Sequence, residues 1–182
     1  AGTYTLSVPG SGGTTPFANI NFQDDPASTT PPTGWTADHG EPYGPKGSLT
    51  YGWVDPNNSF IPLDLATAGG GNGRNRRQAD YPTLTNPEQL EATTMHMQYN
   101  DVNNGNGSNG NPVEGAWEIL VPNGDYEVTV ALGDYNAYST NPNDPENYNL
   151  NVEGVAAVAN YVPGSGSGTS AGAAANYISA TV

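Results

Sequence analysis

Cysteine is absent from this chain, which excludes disulfide stapling and thiolate chemistry. Bases are almost absent. Four stand against 18 acids, all four between Lys46 and Arg77, and the formal charge of −14 owes more to this scarcity than to a surplus of acids. Such a surface lacks the basic footprint that a phosphate backbone requires, so nucleic acid is excluded as a partner. No apolar run reaches the length of a membrane-spanning helix, and no membrane insertion is expected. The two histidines, His39 and His96, have no second ligand at metal spacing, so zinc is not expected. There is no Gly-x-Ser-x-Gly elbow, and "GGGNGRNRR" lacks the Lys-Ser/Thr ending of a phosphate loop. Initiator Met and leader peptide are missing as well, so Ala1 reads as a processed terminus and the expected location is extracellular or the cell surface.

What is present points to strands. The 24 glycines and 16 prolines are interleaved with regularly spaced Tyr, Trp, Val, Leu and Ile, a mixture that suits many short strands joined by turns. In "TYTLSV" (Thr3–Val8) Tyr4, Leu6 and Val8 alternate with polar residues, and a second apolar run covers residues 17–22. "SLTYGWV" predicts a strand over residues 48–54, followed by a long loop over residues 55–85. "ATTMHMQY" predicts a strand with Met95 and Met97 on one face and Thr94, His96 and Gln98 on the other. "AWEILV", "PNGD" and "DYEVTVALGDY" predict a hairpin turning at Asn123-Gly124. "NYNLNVEGVAAVANYV" predicts another at Glu153-Gly154, and "NYISATV" a final strand. The expected fold class is all-β, a single jelly-roll β-sandwich with long Gly/Asn/Pro-rich loops.

The motifs "INFQ", "GEPYG", "LTYGW", "GRNRR", "MHMQ", "WEILVPNGDYEVTVALGD" and "LNVEGV", in this order, resemble the malectin-like or galactose-binding-like β-sandwich modules of bacterial surface proteins and polysaccharide-degrading enzymes. The resemblance covers residues 19–182 and is most specific over residues 117–134. It implies a non-catalytic module, often one that binds carbohydrate. In such modules the strand matching "NYISATV" is followed by two more, and "GTYTLSVPGSGGTTPFANINF" at the front of this chain is similar to that pair. The expected division is therefore a displaced tail strand and linker over residues 1–16, and a malectin-like sandwich over residues 17–182. Residues Thr3, Tyr4, Thr5, Leu6, Ser7 and Val8 either fold into their own sheet or act as a donor strand for the next subunit. The second route would build a head-to-tail homopolymer, because donor and acceptor surfaces differ and the contact need not close.

For a carbohydrate-binding alternative, with polysaccharide as the partner, the resemblance carries over Tyr43, Tyr51, Trp53, Asp134 and Tyr135. The competing reading is that Tyr51 and Trp53 pack the core, as Trp35 and Trp117 do. Arg74, Arg76 and Arg77 could clamp an acidic sugar, against internal pairing with Asp80 or Glu41. Asp24, Asp25, Asp134, Asp144 and Glu146 supply hard oxygen ligands for a calcium ion assembled from separate loops, against solvated loop acids; no other cofactor is expected. Asn57 and Asn106 fit the glycosylation sequon. No catalytic residue is expected. "DHGE", from Asp38 to Glu41, has residue types suited to acid/base work, but no pair of carboxylates is singled out by spacing.

Overall fold

The computed structural model describes residues 3–8, 15–24, 30–66, 71–75, 90, 93–96, 114–133, 148–161 and 177–181. Every named element among them is a strand: β1 (Thr3–Val8), β2 (Thr15–Phe22), β3 (Thr36–Asp38), β4 (Gly44–Lys46), β5 (Leu49–Asp55), β6 (Asn58–Pro62), β7 (Gly73–Asn75), β8 (Thr93–Met95), β9 (Ala116–Ile119), β10 (Glu127–Gly133), β11 (Tyr148–Val152), β12 (Val155–Tyr161) and β13 (Tyr177–Thr181). The described part of the chain is all-β.

Apolar alternation in β2 and β10 is what a half-buried sheet requires. A five-stranded sheet runs β13-β10-β1-β2-β3, antiparallel except for the parallel pair β2–β3. β1 lies at its centre. It pairs with β10 from Thr3↔Ala131 to Ser7↔Glu127, and with β2 from Thr3↔Asn21 to Val8↔Thr15 across a bulge between Leu6 and Ser7. A four-stranded sheet is organised by β5, which pairs with β4, β6 and β9. Two ribbons, β7–β8 and β11–β12, complete the described elements.

The core forms where these sheets present their apolar sides. Ile20 and Phe22 of β2 meet Tyr51 and Trp53 of β5, together with Leu65 and Met95, all buried. Phe22 sits against two indoles, its ring centroid 5.4 Å from Trp53 and 5.9 Å edge-on from Trp117. Such aromatic contacts add about 0.5–1.5 kcal/mol each beyond area burial. A second cluster joins Val128 and Val130 of β10 to Ile119, Val121, Tyr126, Leu150 and Val152. The opposite side of β2 is also buried, and it is polar. Gln23 Nε2 donates to Asn21 Oδ1 at 2.6 Å, and Asn21 Nδ2 to Thr93 Oγ1 of β8 at 3.0 Å.

Two local expectations are corrected. The segment 55–85 is not one loop, since it contains β6 and β7; Asp55 Oδ1 accepts from Asn57 N–H at 2.8 Å and turns the chain back along β5. β8 falls within the strand expected over "ATTMHMQY", and Thr93, Thr94 and Met95 are all buried: Thr93 Oγ1 accepts from Asn21 Nδ2 at 3.0 Å, and Thr94 Oγ1 donates to the Gly133 carbonyl at 3.4 Å. Asn123-Gly124 does not close a hairpin, because β9 pairs with β5 while β10 pairs with β1 and β13. Ile119 and Val121 pack face to face onto Val128 and Val130 instead, and Tyr126 Oη donates to the Pro122 carbonyl at 2.8 Å across the connection.

The Glu153-Gly154 hairpin does form, between Val152 and its partner Val155, with φ of 49° and 76° at the two turn residues. Positive φ at both positions is the primed geometry, which favours Asn-Gly and penalises a long side chain at the first position. Glu153→Asn should therefore stabilise the protein by about 1 kcal/mol, a rise of roughly 2–4 °C in Tm. Differential scanning calorimetry checks it; an unchanged or lower Tm would mean that the turn is not strained.

Candidate functional site

Among the described residues a densely bonded polar group is the carboxylate of Asp38, at the end of β3 and fully buried. Trp53 Nε1 donates to its Oδ1 at 3.0 Å, Trp117 Nε1 to its Oδ2 at 2.9 Å, and the Gly40 amide to Oδ1 at 2.8 Å. Trp53 belongs to β5 and Trp117 to β9, so a residue of the five-stranded sheet is bonded to two strands of the other. Its backbone carbonyl also accepts from Gln23 N–H at 2.8 Å. Burial pushes the Asp38 carboxyl above its ordinary value; the three donors, from Trp117, Gly40 and Trp53, pull the other way and do not cancel it, and Glu41 adds a further upward push. A carboxylate without access to solvent and saturated by N–H donors orients two tryptophans and has no room for a substrate. "DHGE" is accordingly a structural corner. His39 N–H donates to Glu41 Oε2 at 2.9 Å, His39 Nδ1 lies against the Asp24 carbonyl, and Leu65 N–H reaches the Gly40 carbonyl at 2.8 Å.

Beside this corner lies the chain's single lysine. Lys46 Nζ donates to the carbonyls of Pro42 at 2.9 Å and Tyr51 at 2.7 Å, and it stands 4.6 Å from the Tyr51 ring centroid. Gly52 makes room for it. A Cβ there, at φ +138°, would come within 2.8 Å of Lys46 Nζ and 2.7 Å of the Pro42 carbonyl. The Tyr51 phenol is pushed up to about 12, first by burial and then by the charges of Asp38 and Glu41, so it stays neutral. Nothing in the spacing of "GEPYGPKG" signalled this lysine site; its one clue was a lone base in an acid-rich stretch.

Of the carbohydrate candidates, Tyr43, Tyr51 and Trp53 lie among the described residues. Tyr51 and Trp53 are 3% and 5% exposed and belong to the core cluster, so neither ring offers a face to a sugar. Tyr43 is half-buried in the loop before β4, and its N–H donates to the Trp53 carbonyl at 3.0 Å. Trp117 packs against the core, and Trp35 is half-buried. Asp134 and Tyr135 lie outside the described residues, as do Arg76, Arg77, Asp80, Asp25, Asp144, Glu146, Asn106, Met97 and Gln98. Arg74 is placed by its backbone in β7, opposite Thr94. Asp24 is half-buried at the end of β2, and the described residues contain no cluster of three metal-ligating side chains. Asn57 is exposed at the β5–β6 turn, and His96 is half-buried, bonded through its backbone to Asn72 at 3.0 and 2.8 Å.

The strand Thr3–Val8 stands apart from these polar groups. It fills a slot whose walls are β10 on one side and β2 on the other, with Thr5 facing Asn19 and Thr129. Among the described residues, fold and site together define an all-β architecture with a densely bonded, buried structural carboxylate and an N-terminal strand central to a sheet. No family model, curated protein or solved structure matches the chain.

Asp38 generates a pH test. Its carboxyl is raised in the folded state above the ordinary 3.8, so the folded protein holds that proton more tightly than the unfolded chain. The resulting stability is fully present below the ordinary value and is lost as pH rises through the raised one. Asp38→Asn also turns an amide N–H toward an indole N–H, at a cost of about 1–3 kcal/mol. The stability difference between native protein and variant should therefore be largest in acid and shrink as pH rises, measured by urea unfolding. A difference that widens with pH would contradict the assignment.

Proposed function

We propose that this protein is a non-catalytic extracellular structural subunit, folded as a jelly-roll sandwich, that assembles into a filament or lattice by exchanging β1 between neighbouring copies. The single observation that carries the reading is the position of β1, with both edges engaged between β10 and β2. Withdrawing such a strand would leave two antiparallel edges open at the centre of a sheet, with their N–H and C=O groups unmet. A β1 strand from a second copy presents the same sequence to the same two edges, so every pair of the ladder is conserved in an exchanged assembly. The six residues between β1 and β2, "PGSGGT", reach about 20 Å when extended, and their composition suits a crossing segment. Donor and acceptor surfaces differ, so the contact is open-ended and propagates.

The carbohydrate-binding reading has less behind it, because two of its aromatic candidates, Tyr51 and Trp53, are core residues bonded to or lying near Asp38. Neutral loops rich in Asn, Gly and Thr suit the outer surface of an assembled filament.

Negative-stain electron microscopy of the purified chain, beside a variant lacking residues 1–10, tests the proposal. Exchange predicts polymers that survive dilution and vanish in the truncation. A free peptide of residues 1–10 added to the truncated protein should fill the slot and give single, folded particles. Polymers that persist without residues 1–10 would overturn the reading, as would single particles from the intact chain at every concentration.

A further inference from the structure

Two Asn-Gly pairs lie among the described residues, and the fold treats them oppositely; the pairs at residues 104–105, 106–107 and 109–110 lie outside the described residues. Asn72 is fully buried. Its N–H donates to the Leu65 carbonyl at 2.8 Å, its carbonyl accepts from His96 N–H at 3.0 Å, and its Nδ2 donates to the His96 carbonyl at 2.8 Å. Gly73 belongs to β7, paired with Met95, and the backbone of Gln23 and Asp24 stands where its Cβ would be. Asn123 and Gly124 are instead both exposed, in the connection between β9 and β10. The arms of that connection are fixed. Leu120 N–H donates to the Thr50 carbonyl at 2.8 Å, Tyr126 Oη donates to the Pro122 carbonyl at 2.8 Å, and Val121 and Tyr126 pack onto Val128 and Val130. At the tip, no hydrogen bond between described residues holds Asn123 or Gly124.

We propose that Asn123 is a modification site of the folded protein, converted to aspartate and isoaspartate by attack of the Gly124 nitrogen, and that the fold shields Asn72 from the same reaction. The Gly124 nitrogen bonds to Asn123 Cγ and gives up its proton to the departing amide. The Cγ–Nδ2 bond breaks, ammonia leaves, and a succinimide ring closes. Water, the only co-reactant, then opens the ring. Breaking the bond from nitrogen to Cγ gives aspartate; breaking the bond to the main-chain carbonyl carbon gives isoaspartate. Glycine is the residue that permits the attack, because no Cβ crowds its nitrogen. At Asn72 the carboxamide would have to leave its buried bond to His96 before it could turn toward the Gly73 nitrogen, and a buried donor left unmet is costly. At Asn123 nothing of the kind has to be broken. Either product adds an acid beside Asp125 and Glu127. Isoaspartate also inserts an extra main-chain carbon inside the arc that Tyr126 Oη closes onto Pro122, so the packed arms of the connection feel the change.

Incubation of the folded full chain in mildly alkaline buffer, followed by peptide mapping with mass spectrometry and enzymatic methylation of isoaspartate, tests the proposal. In the folded protein Asn123 should convert at least about tenfold faster than Asn72, and unfolding in guanidinium should bring the two rates to within about twofold. Gly124→Ala should slow conversion at residue 123 by at least about tenfold. That variant keeps the fold, since φ at Gly124 is not positive and the new Cβ would meet nothing beyond its chain neighbours nearer than Tyr126 Cε2 at 3.7 Å. Comparable rates at Asn72 and Asn123 in the folded chain would overturn the proposal. So would an Asn123 rate that rises about tenfold on unfolding, which would mean that the tip is held after all. Conversion at an unchanged rate in Gly124→Ala would show that the Gly124 nitrogen is not the nucleophile.

Discussion

Two indole N–H groups on one buried carboxylate tie the two main sheets together. Asp38 gives the five-stranded sheet a fixed point, and the indoles of Trp53 and Trp117 bring two strands of the other sheet onto it. A buried charge is costly unless it is bonded, and breaking such an arrangement from one side leaves the remainder unmatched. The geometry is therefore demanding. Both indoles also contact the Phe22 ring, so the packing of β2 onto β5 and β9 depends on the same side chains that satisfy Asp38. Lys46 completes this corner by donating to the carbonyls of Pro42 and Tyr51, and Gly52 leaves the space that it occupies.

A scaffold fixed in this way at Asp38 does not need β1 to come from any particular chain. The carboxylate clamp acts through β3, β5 and β9, whereas β1 is held in a ladder with β10 and β2. The free energy of that ladder is nearly the same whether the strand is tethered at home or supplied by a neighbour. Hydrogen-bond partners and side-chain pairs are identical, and the difference lies in the linker and in local concentration. The distribution of charge favours association on the same grounds. A protein at −14 resists contact with its own kind, and the segments that carry β1, β12 and β13 are those without charge.

Much of the strand content was legible because alternation is a local signal. Thr3–Val8 reads as a strand from Tyr4, Leu6 and Val8 alone, and it is β1. The Glu153-Gly154 turn likewise follows from two flanking runs with a glycine between them. What escaped was pairing. Asn123-Gly124 carries the best hairpin dipeptide in the chain, yet Ile119 and Val121 gain more by packing across onto Val128 and Val130 than β9 would by lying beside β10. β8 was legible as a strand within "ATTMHMQY", whereas the burial of Thr93 and Thr94 as deep as Met95 was not, because threonine in a strand reads the same in sequence whether it is covered or not. The role of Asp38 was hidden for another reason. Its partners are 15 and 79 residues away, and a carboxylate in "DHGE" looks the same in sequence whether it faces water or two indoles.

The absence of cysteine opens a direct measurement of where β1 resides. Thr5 and Thr129 are register partners across β1 and β10, and both are half-buried. With Thr5→Cys and Thr129→Cys, oxidation of the assembled protein joins the two strands through the sole thiols present. If β1 is supplied by a neighbour, a non-reducing denaturing gel will show a ladder of covalent multimers that collapses on reduction. If every β1 lies in its own sheet, the same oxidation will yield only internally closed monomers, and the account of this protein as a strand-exchange polymer is wrong.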